Sequence, residues 1–292
     1  MLTQTGLIPG LFFCRARPAS PGIAAIMNFP DFPTLELSVR HYRHTLVDQG
    51  QGETVLLIHG SLCDWRYWRW QLPALTTEHR VLAPSLRSYW PGLADAAHFS
   101  PDQHAQDLDA LLTLHCPAQK VHIVGHSRGG HVALLLAERA PERVASLMLA
   151  DPGFPTPGSY SSAPLFDQVA QRLRQGETDD AMALFVDTVN GPGTWKQMTR
   201  WFREMVRDNA HTLLEQQAEP RVAPALEWLK RLDAPLVLLT GQNSPPRYRH
   251  CMDLIRNHRR EDRLITISGA AHGMNLANPR AFNQAVLETV QA

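Results

Sequence analysis

The pattern of apolar and polar positions changes at Leu35. Residues 1 to about 33 are rich in proline and glycine and sustain neither a helical nor a strand period, which predicts a flexible N-terminal extension. Met27 lies just before the first patterned segment, so the residues ahead of it could be an over-long start. From Leu35 the stretch LELSVRHYRHTLVDQGQGE alternates, and the continuous apolar run TVLLIHG follows. That succession predicts a hairpin feeding a buried strand. Similar short runs recur at RVLAPS, KVHIVGHS, RVASLMLAD, APLVLLTG and RLITISG, and most are separated by helical patterns: PDQHAQDLDALLTLH, GGHVALLLAERA and NPRAFNQAVLETV. Strands that are apolar on both faces and alternate with helices predict an α/β fold, a mostly parallel central sheet with helices on both faces.

The interval 152–232 breaks this rhythm. It holds the helical patterns LFDQVAQRLRQ, TDDAMALFVDTVN and TWKQMTRWFREMVRDNAHTLLEQQ but no convincing strand. It is expected to be a helical cap inserted into a core built from residues 34–151 and 233–292, with 1–33 as the extension. Within the interval Trp195, Met198, Phe202 and Met205 recur at helical spacing. Such a stripe must bury against either the sheet domain or an apolar substrate. The segment DWRYWRW likewise places Trp65 and Trp68 on one helical face, as core or as pocket wall.

Composition narrows the partners. Lys plus Arg and Asp plus Glu are equal at 28 each and scattered along the chain, so no basic face offers itself to nucleic acid or anionic lipid. No apolar run approaches the ~20 residues that span a bilayer, and LIPGLFF, short, proline-containing and without a preceding basic residue, makes a poor secretory signal. Cys14, Cys63, Cys116 and Cys251 are far apart, without the close pairing of a zinc site or redox dithiol. A cytoplasmic protein with reduced thiols is expected. It should use no metal or other cofactor, act on a small molecule and exist as a monomer or homodimer.

The chemistry centres on VHIVGHSRGGHVALLLAERA. A buried strand runs into Gly125, His126, Ser127, Arg128 and Gly129, and a helix follows at once. Small residues two before and two after Ser127 let the backbone turn tightly enough to project the hydroxyl. The bare GxSxG motif is weak evidence, and its placement between strand and helix is what strengthens it. The competing reading is a tight glycine turn whose serine caps the helix.

On these residues the chain resembles the α/β-hydrolase fold family, in its esterase-like branch with a cap after the sixth strand, over roughly residues 36 to 290. The resemblance implies a serine nucleophile, Ser127, and a base in the loop after the last strand. There SGAAHGMNLANP supplies His272. His126 and His131 flank the serine but are expected to point elsewhere and pack, while His41 and His44 on the early hairpin are expected to be solvated. The turn His59-Gly60 in LIHGSLCDW resembles the family's oxyanion turn. Backbone amides of Ser61 (Leu62 being the less favoured choice) and Arg128 would donate to the oxyanion.

The acid is the irregular member. The family most often carries it after the strand that here reads PLVLLTG, where this chain offers Gln242, Asn243 and Ser244 instead. An amide can orient an imidazole but cannot stabilise an imidazolium. The preceding strand RVASLMLAD ends in Asp151, a position some family members use, and both strand ends lie on the same edge of the sheet. Asp151 is therefore expected to be the acid, although Asp151-Pro152-Gly153 could simply turn the chain. Asp107 and Asp109 should face solvent or helix neighbours, and Pro245-Pro246 reads as a rigid loop. The family's glycine-rich sequence after the fourth strand is replaced by APSLRSYWPG, whose Arg87, Tyr89 and Trp90 either border the entrance or close the sheet edge.

The expected function is cofactor-free hydrolysis of a small to medium, largely apolar carboxylic ester. Ser127, His272 and Asp151 would form the triad, Ser61 and Arg128 the oxyanion hole, and Leu62, Trp65, Trp195 and Phe202 the pocket. A lactonase, thioesterase or carbon–carbon bond hydrolase would use the same triad. A ligand-binding receptor of the same fold is the alternative outside catalysis.

Overall fold

Eight strands form one sheet in the computed structural model, which describes residues 32–156, 163–259 and 263–292. Of the expected N-terminal extension, residues 1–31 lie outside the described residues. In chain order the strands are β1 (Thr34–Val39), β2 (Tyr42–Gln49), β3 (Thr54–Ile58), β4 (Arg80–Pro84), β5 (Val121–His126), β6 (Val144–Ala150), β7 (Leu236–Gly241) and β8 (Arg263–Ile267). Across the sheet they run β1-β2-β4-β3-β5-β6-β7-β8. β1 and β2 form an antiparallel hairpin closed by Arg40 and His41, both at positive φ, the turn geometry that matches strand twist. β2 pairs antiparallel with β4, and from β4 to β8 every pairing is parallel.

The helices are α1 (Leu72–Leu75), α2 (Pro101–His115), α3 (Arg128–Arg139), α4 (Ala163–Arg174), α5 (Thr178–Asn190), α6 (Thr194–Gln197), α7 (Arg200–Asp208), α8 (Thr212–Ala218), α9 (Pro246–His258), α10 (Met274–Ala277) and α11 (Pro279–Val290). The ends of α2 and α11 are written in the sequence: Ser100 and Asn278 accept the amides of Gln103 and Ala281, and a proline occupies the first turn of each. One buried apolar cluster gathers residues of α2, α3 and α9 against the sheet. A second gathers α1 and α11 and continues into α4–α8. The stretch between β6 and β7 is helical among its described residues, and no helix among them is long and apolar enough to cross a membrane.

Several expectations need correction. The long helical pattern from Thr194 breaks into α6, α7 and α8, because Met198 takes an extended backbone (φ −60°, ψ 141°) and interrupts the period. Pro245-Pro246 is no isolated rigid loop but the start of α9. Pro246 sits in its first turn, where a missing amide hydrogen costs nothing. His44 is buried, not solvated, with Nε2 3.7 Å from Asp107. Asp107 is itself buried and grips the Arg87 guanidinium at 2.7 and 3.0 Å, so neither borders an entrance. α2 presents Asp107 inward, against the loop after β4, and a buried carboxylate needs such a charged partner. Tyr89 is also buried, its ring 4.7 Å from that of His59, and Trp90 lies under the Arg66 guanidinium.

Candidate functional site

β5 ends at His126 and α3 begins at Arg128, so one residue must reverse the chain. Ser127 does so at φ 56°, ψ −122°, a sparsely populated conformation for a side-chain-bearing residue. The turn closes only because its flanks lack side chains. A Cβ on Gly125 would stand 2.5 Å from the Gly129 oxygen, and one on Gly129 would stand 2.2 Å from the Ile58 oxygen. The Ser127 carbonyl accepts the amides of Gly130 and Gly153 at 2.9 and 3.0 Å, which ties the turn to the loop after β6.

The Ser127 hydroxyl lies 3.0 Å from Nε2 of His272. Nδ1 of the same ring lies 3.3 Å from Oδ2 of Asp151. The structure thus brings all three expected residues into one line, with Asp151 wholly buried at the end of β6 and His272 buried in the loop after β8. Asp151 also accepts Thr240 Oγ1 at 2.8 Å and Ser244 Oγ at 2.5 Å. The turn after β7, where a carboxylate was missed, therefore donates hydroxyls to the carboxylate one strand away. Asn243 is exposed.

Burial raises the Asp151 carboxyl to about 6, even though the Ser244 and Thr240 hydroxyls pull it down. Burial, reinforced by the positive charge of Arg247, holds His272 well below the usual imidazole value. At neutral pH the pair is a buried carboxylate beside a neutral imidazole, the state in which Nε2 can accept a proton from a hydroxyl.

The loop after β3 is built on His59. Its Nε2 accepts the Leu86 amide at 3.0 Å, so the proton stands on Nδ1, which donates to the Gly60 carbonyl at 2.9 Å. Burial keeps this ring neutral, its pKa lowered to about 4. Carbonyl and amide hydrogen of a trans peptide point opposite ways, so turning the Gly60 oxygen toward His59 turns the Ser61 amide away from it. Gly60 itself packs on the serine, its Cβ position 3.0 Å from Ser127 Cβ. The Arg128 amide opens α3, where a helix leaves its first donors without intrahelical partners. The Arg128 side chain turns aside and is held by both oxygens of Glu219 at 2.6 Å, while Ser61 Oγ donates to Gln216. Burial works against the Arg128 charge, but Glu219 outweighs it and leaves the pKa above the ordinary value.

A cavity of about 930 Å³ opens on Ser127 and His272. Leu62 and Phe202 line it as expected, with Phe166, Phe185 and Met198 extending the apolar wall. Trp65 and Trp195 are not among its lining residues, which corrects their expected placement. Trp65 is half-buried against the core. Trp195 is held in α6 by Asp187, which accepts its amide, and by Arg207 over its ring; the break at Met198 takes it off the face that carries Phe202. His126 and His131 do line the cavity, although packing away from it was expected.

Sequence reasoning missed Tyr248, Ser244, Thr240, Gln216 and Glu219. Only Ser244 had a signal, a hydroxyl in the turn searched for an acid. Tyr248 stacks on the His272 ring from a helix that was not expected there.

A model of the alpha/beta hydrolase family matches residues 55–285. The chain is 36% identical over 122 residues to a 2-hydroxymuconate semialdehyde hydrolase from Pseudomonas sp. (strain CF600), covering 39% of this chain and 41% of that one. It is 30% identical over 155 residues to a soluble epoxide hydrolase from Corynebacterium sp. (strain C12), covering 52% and 54%. The chain spans about half or less of the length of these curated relatives. Among solved structures, a thermophilic esterase from Thermogutta terrifontis superposes with a TM-score of 0.72 at 23% identity, covering 89% of this chain and 98% of that one, a likeness of fold.

Proposed function

The chain belongs to the alpha/beta hydrolase family, and on that premise we propose that this hydrolase cleaves a small to medium, largely apolar carboxylic ester through an acyl-enzyme on Ser127. The observation that carries the reading is the 3.0 Å contact between the Ser127 hydroxyl and His272 Nε2 at the floor of an apolar cavity.

The geometry supports the following steps. Ser127 Oγ attacks the ester carbonyl as its proton passes to His272 Nε2, and Asp151 holds the imidazolium through Nδ1. The amides of Ser61 and Arg128 receive the oxyanion, a contribution of ~3 to 4 kcal/mol per donor in comparable sites. Collapse expels the alcohol, which takes the proton from Nε2. Water then gives a proton to His272 Nε2 as its oxygen attacks the acyl carbon, and collapse breaks the bond to Ser127 Oγ, which takes the proton back as the acid leaves. Residues 152–232 act as a cap whose phenylalanines supply the apolar wall. A cavity of about 930 Å³ suits a ligand of modest size.

A serine at the elbow also argues against the epoxide chemistry of the Corynebacterium relative. Attack on an epoxide carbon would leave a serine ether, which water does not cleave, whereas an acyl ester turns over. Carbon–carbon bond hydrolysis is the second reading, favoured by the 36% likeness to the semialdehyde hydrolase, because a ketone carbonyl can be attacked by the same hydroxyl.

p-Nitrophenyl acetate, butyrate and octanoate test the reading. Turnover is expected with all three, with kcat/KM highest at an intermediate length, and Ser127→Ala should lower kcat by about 10⁶-fold. Full activity in Ser127→Ala would remove the serine from the reaction. The pH dependence follows from the raised Asp151 pKa. The active pair needs the carboxylate ionised, so kcat/KM falls as pH drops through about 6. Ser244→Ala removes a donor to the carboxylate, raises its pKa further and should move this limb to higher pH. A limb that stays in place or moves down would contradict the role given to Ser244.

A further inference from the structure

Two aromatic rings pack on the imidazole of His272. Tyr248 lies parallel to it, with centroids 3.8 Å apart and planes 5° from coplanar. His126 packs against the same imidazole at 4.6 Å and 37°. The two come from different elements, Tyr248 from the first turn of α9 and His126 from the end of β5. Each is anchored beyond the stack: His126 Nε2 donates to the His272 carbonyl at 2.7 Å, and the buried Tyr248 accepts Arg247 Nη2 on its hydroxyl at 2.8 Å.

We propose that Tyr248 is a positioning residue for His272: its ring clamps the imidazole against His126, keeping Nε2 on Ser127, and its π face stabilises the imidazolium formed when the serine proton moves. The proposal rests on the serine-hydrolase reading above.

Two observations make the clamp necessary and specific. The edge contacts alone hold the ring loosely, because the Nδ1 to Asp151 distance is 3.3 Å while Ser244 occupies the same Oδ2 at 2.5 Å. The stack also suits a cation better than a neutral ring. Neutral aromatic pairs prefer offset or edge-on arrangements, and a 3.8 Å centroid separation at 5° leaves little offset. A positive ring over the electron-rich face of a tyrosine is attracted by it.

The charged groups that face His272 act in opposite senses. Asp151 at the end of β6 favours the imidazolium, and Arg247 on α9 opposes it. Burial, with the His272 charge, holds His126 neutral at about 3, and burial raises Tyr67, Cys251 and Tyr248 itself. The tyrosine face offsets the Arg247 charge on the one partner that must become positive.

The test is the pH dependence of the rate at which a fluorophosphonate phosphonylates Ser127 in wild type, Tyr248→Phe and Tyr248→Leu. Phe keeps the ring and loses only the hydroxyl, with its hydrogen bonds to Ser127 and Arg247, and should stay within about 3-fold of wild type. Leu should react about 10-fold more slowly. The His272 imidazolium pKa, followed through its Cε1 proton, should fall by about half a unit in Leu, because the cation has lost its face. Loosened packing that admitted water would raise that pKa instead. Independently of any variant's folding, the Cε1 proton of His272 in wild type should resonate upfield of exposed histidines, shielded by both rings. A wild-type rate and His272 imidazolium pKa in Leu, a raised pKa, or an unshielded Cε1 proton would overturn the clamp. Failure of wild type to label at all would instead overturn the serine-hydrolase reading, while the proton resonance still judges the stack.

Discussion

Asp151→Asn should lower kcat by about 10⁴-fold with little change in KM. The carboxylate has no exposed surface and both its oxygens are committed, Oδ1 to Thr240 and Oδ2 to Ser244 and His272. An asparagine presents one oxygen and one NH2 to donors that all need an acceptor. If the NH2 faces His272, Nδ1 must accept, the proton moves to Nε2, and the ring can no longer take the proton of Ser127. If it faces Thr240, the oxygen still accepts from Nδ1 but the imidazolium loses its countercharge, at the wholly buried position of residue 151. Asn243→Ala, on the exposed turn after β7, should change turnover by less than about 2-fold, the ordinary scale of a surface substitution. Steady-state kinetics on the two variants checks the ranking, and the reverse order would move the acid away from Asp151.

Gly129→Ala is expected to cost about 3 kcal/mol or more, a drop in Tm of about 10 °C. The new methyl would meet the Ile58 and His59 carbonyl oxygens at 2.2 and 2.5 Å, and these are backbone atoms that no rotamer change can withdraw. Relief requires β3 and the loop after it to part from the elbow. That loop carries Gly60 and Ser61, so turnover should fall further than the loss of folded protein accounts for. Thermal denaturation together with kcat measured well below Tm separates the two effects. A wild-type Tm would mean that β3 does not pack on α3 as closely as described.

The sheet was legible because β3 to β7 are short, buried on both faces and mostly separated by helices; each apolar run noted in the sequence became a strand. The elbow was legible because its glycines leave no alternative backbone course. Asp151 could be inferred from the family resemblance together with topology, since consecutive parallel strands end on the same edge. What failed depends on partners distant in sequence. Asp107 reads as a helix-surface residue until Arg87 is known to reach it across 20 positions, and Trp195 shares a period with Phe202 only if no residue between them leaves the helix. α9 was hidden because its opening prolines read equally well as a loop, and with it Tyr248. The absence of an acid after β7 was the most informative anomaly, for Ser244 and Tyr248, which follow in that stretch, serve the Asp151–His272 pair from either side.

The central claim is that Ser127 is a nucleophile made reactive by His272 and Asp151. Its most direct test is labelling of the purified protein with a fluorophosphonate, followed by peptide mapping of the adduct. The account predicts a single stoichiometric adduct on Ser127, absent in Ser127→Ala and greatly slowed in Asp151→Asn. A folded wild-type protein that stays unlabelled, or an adduct on another residue, would contradict it.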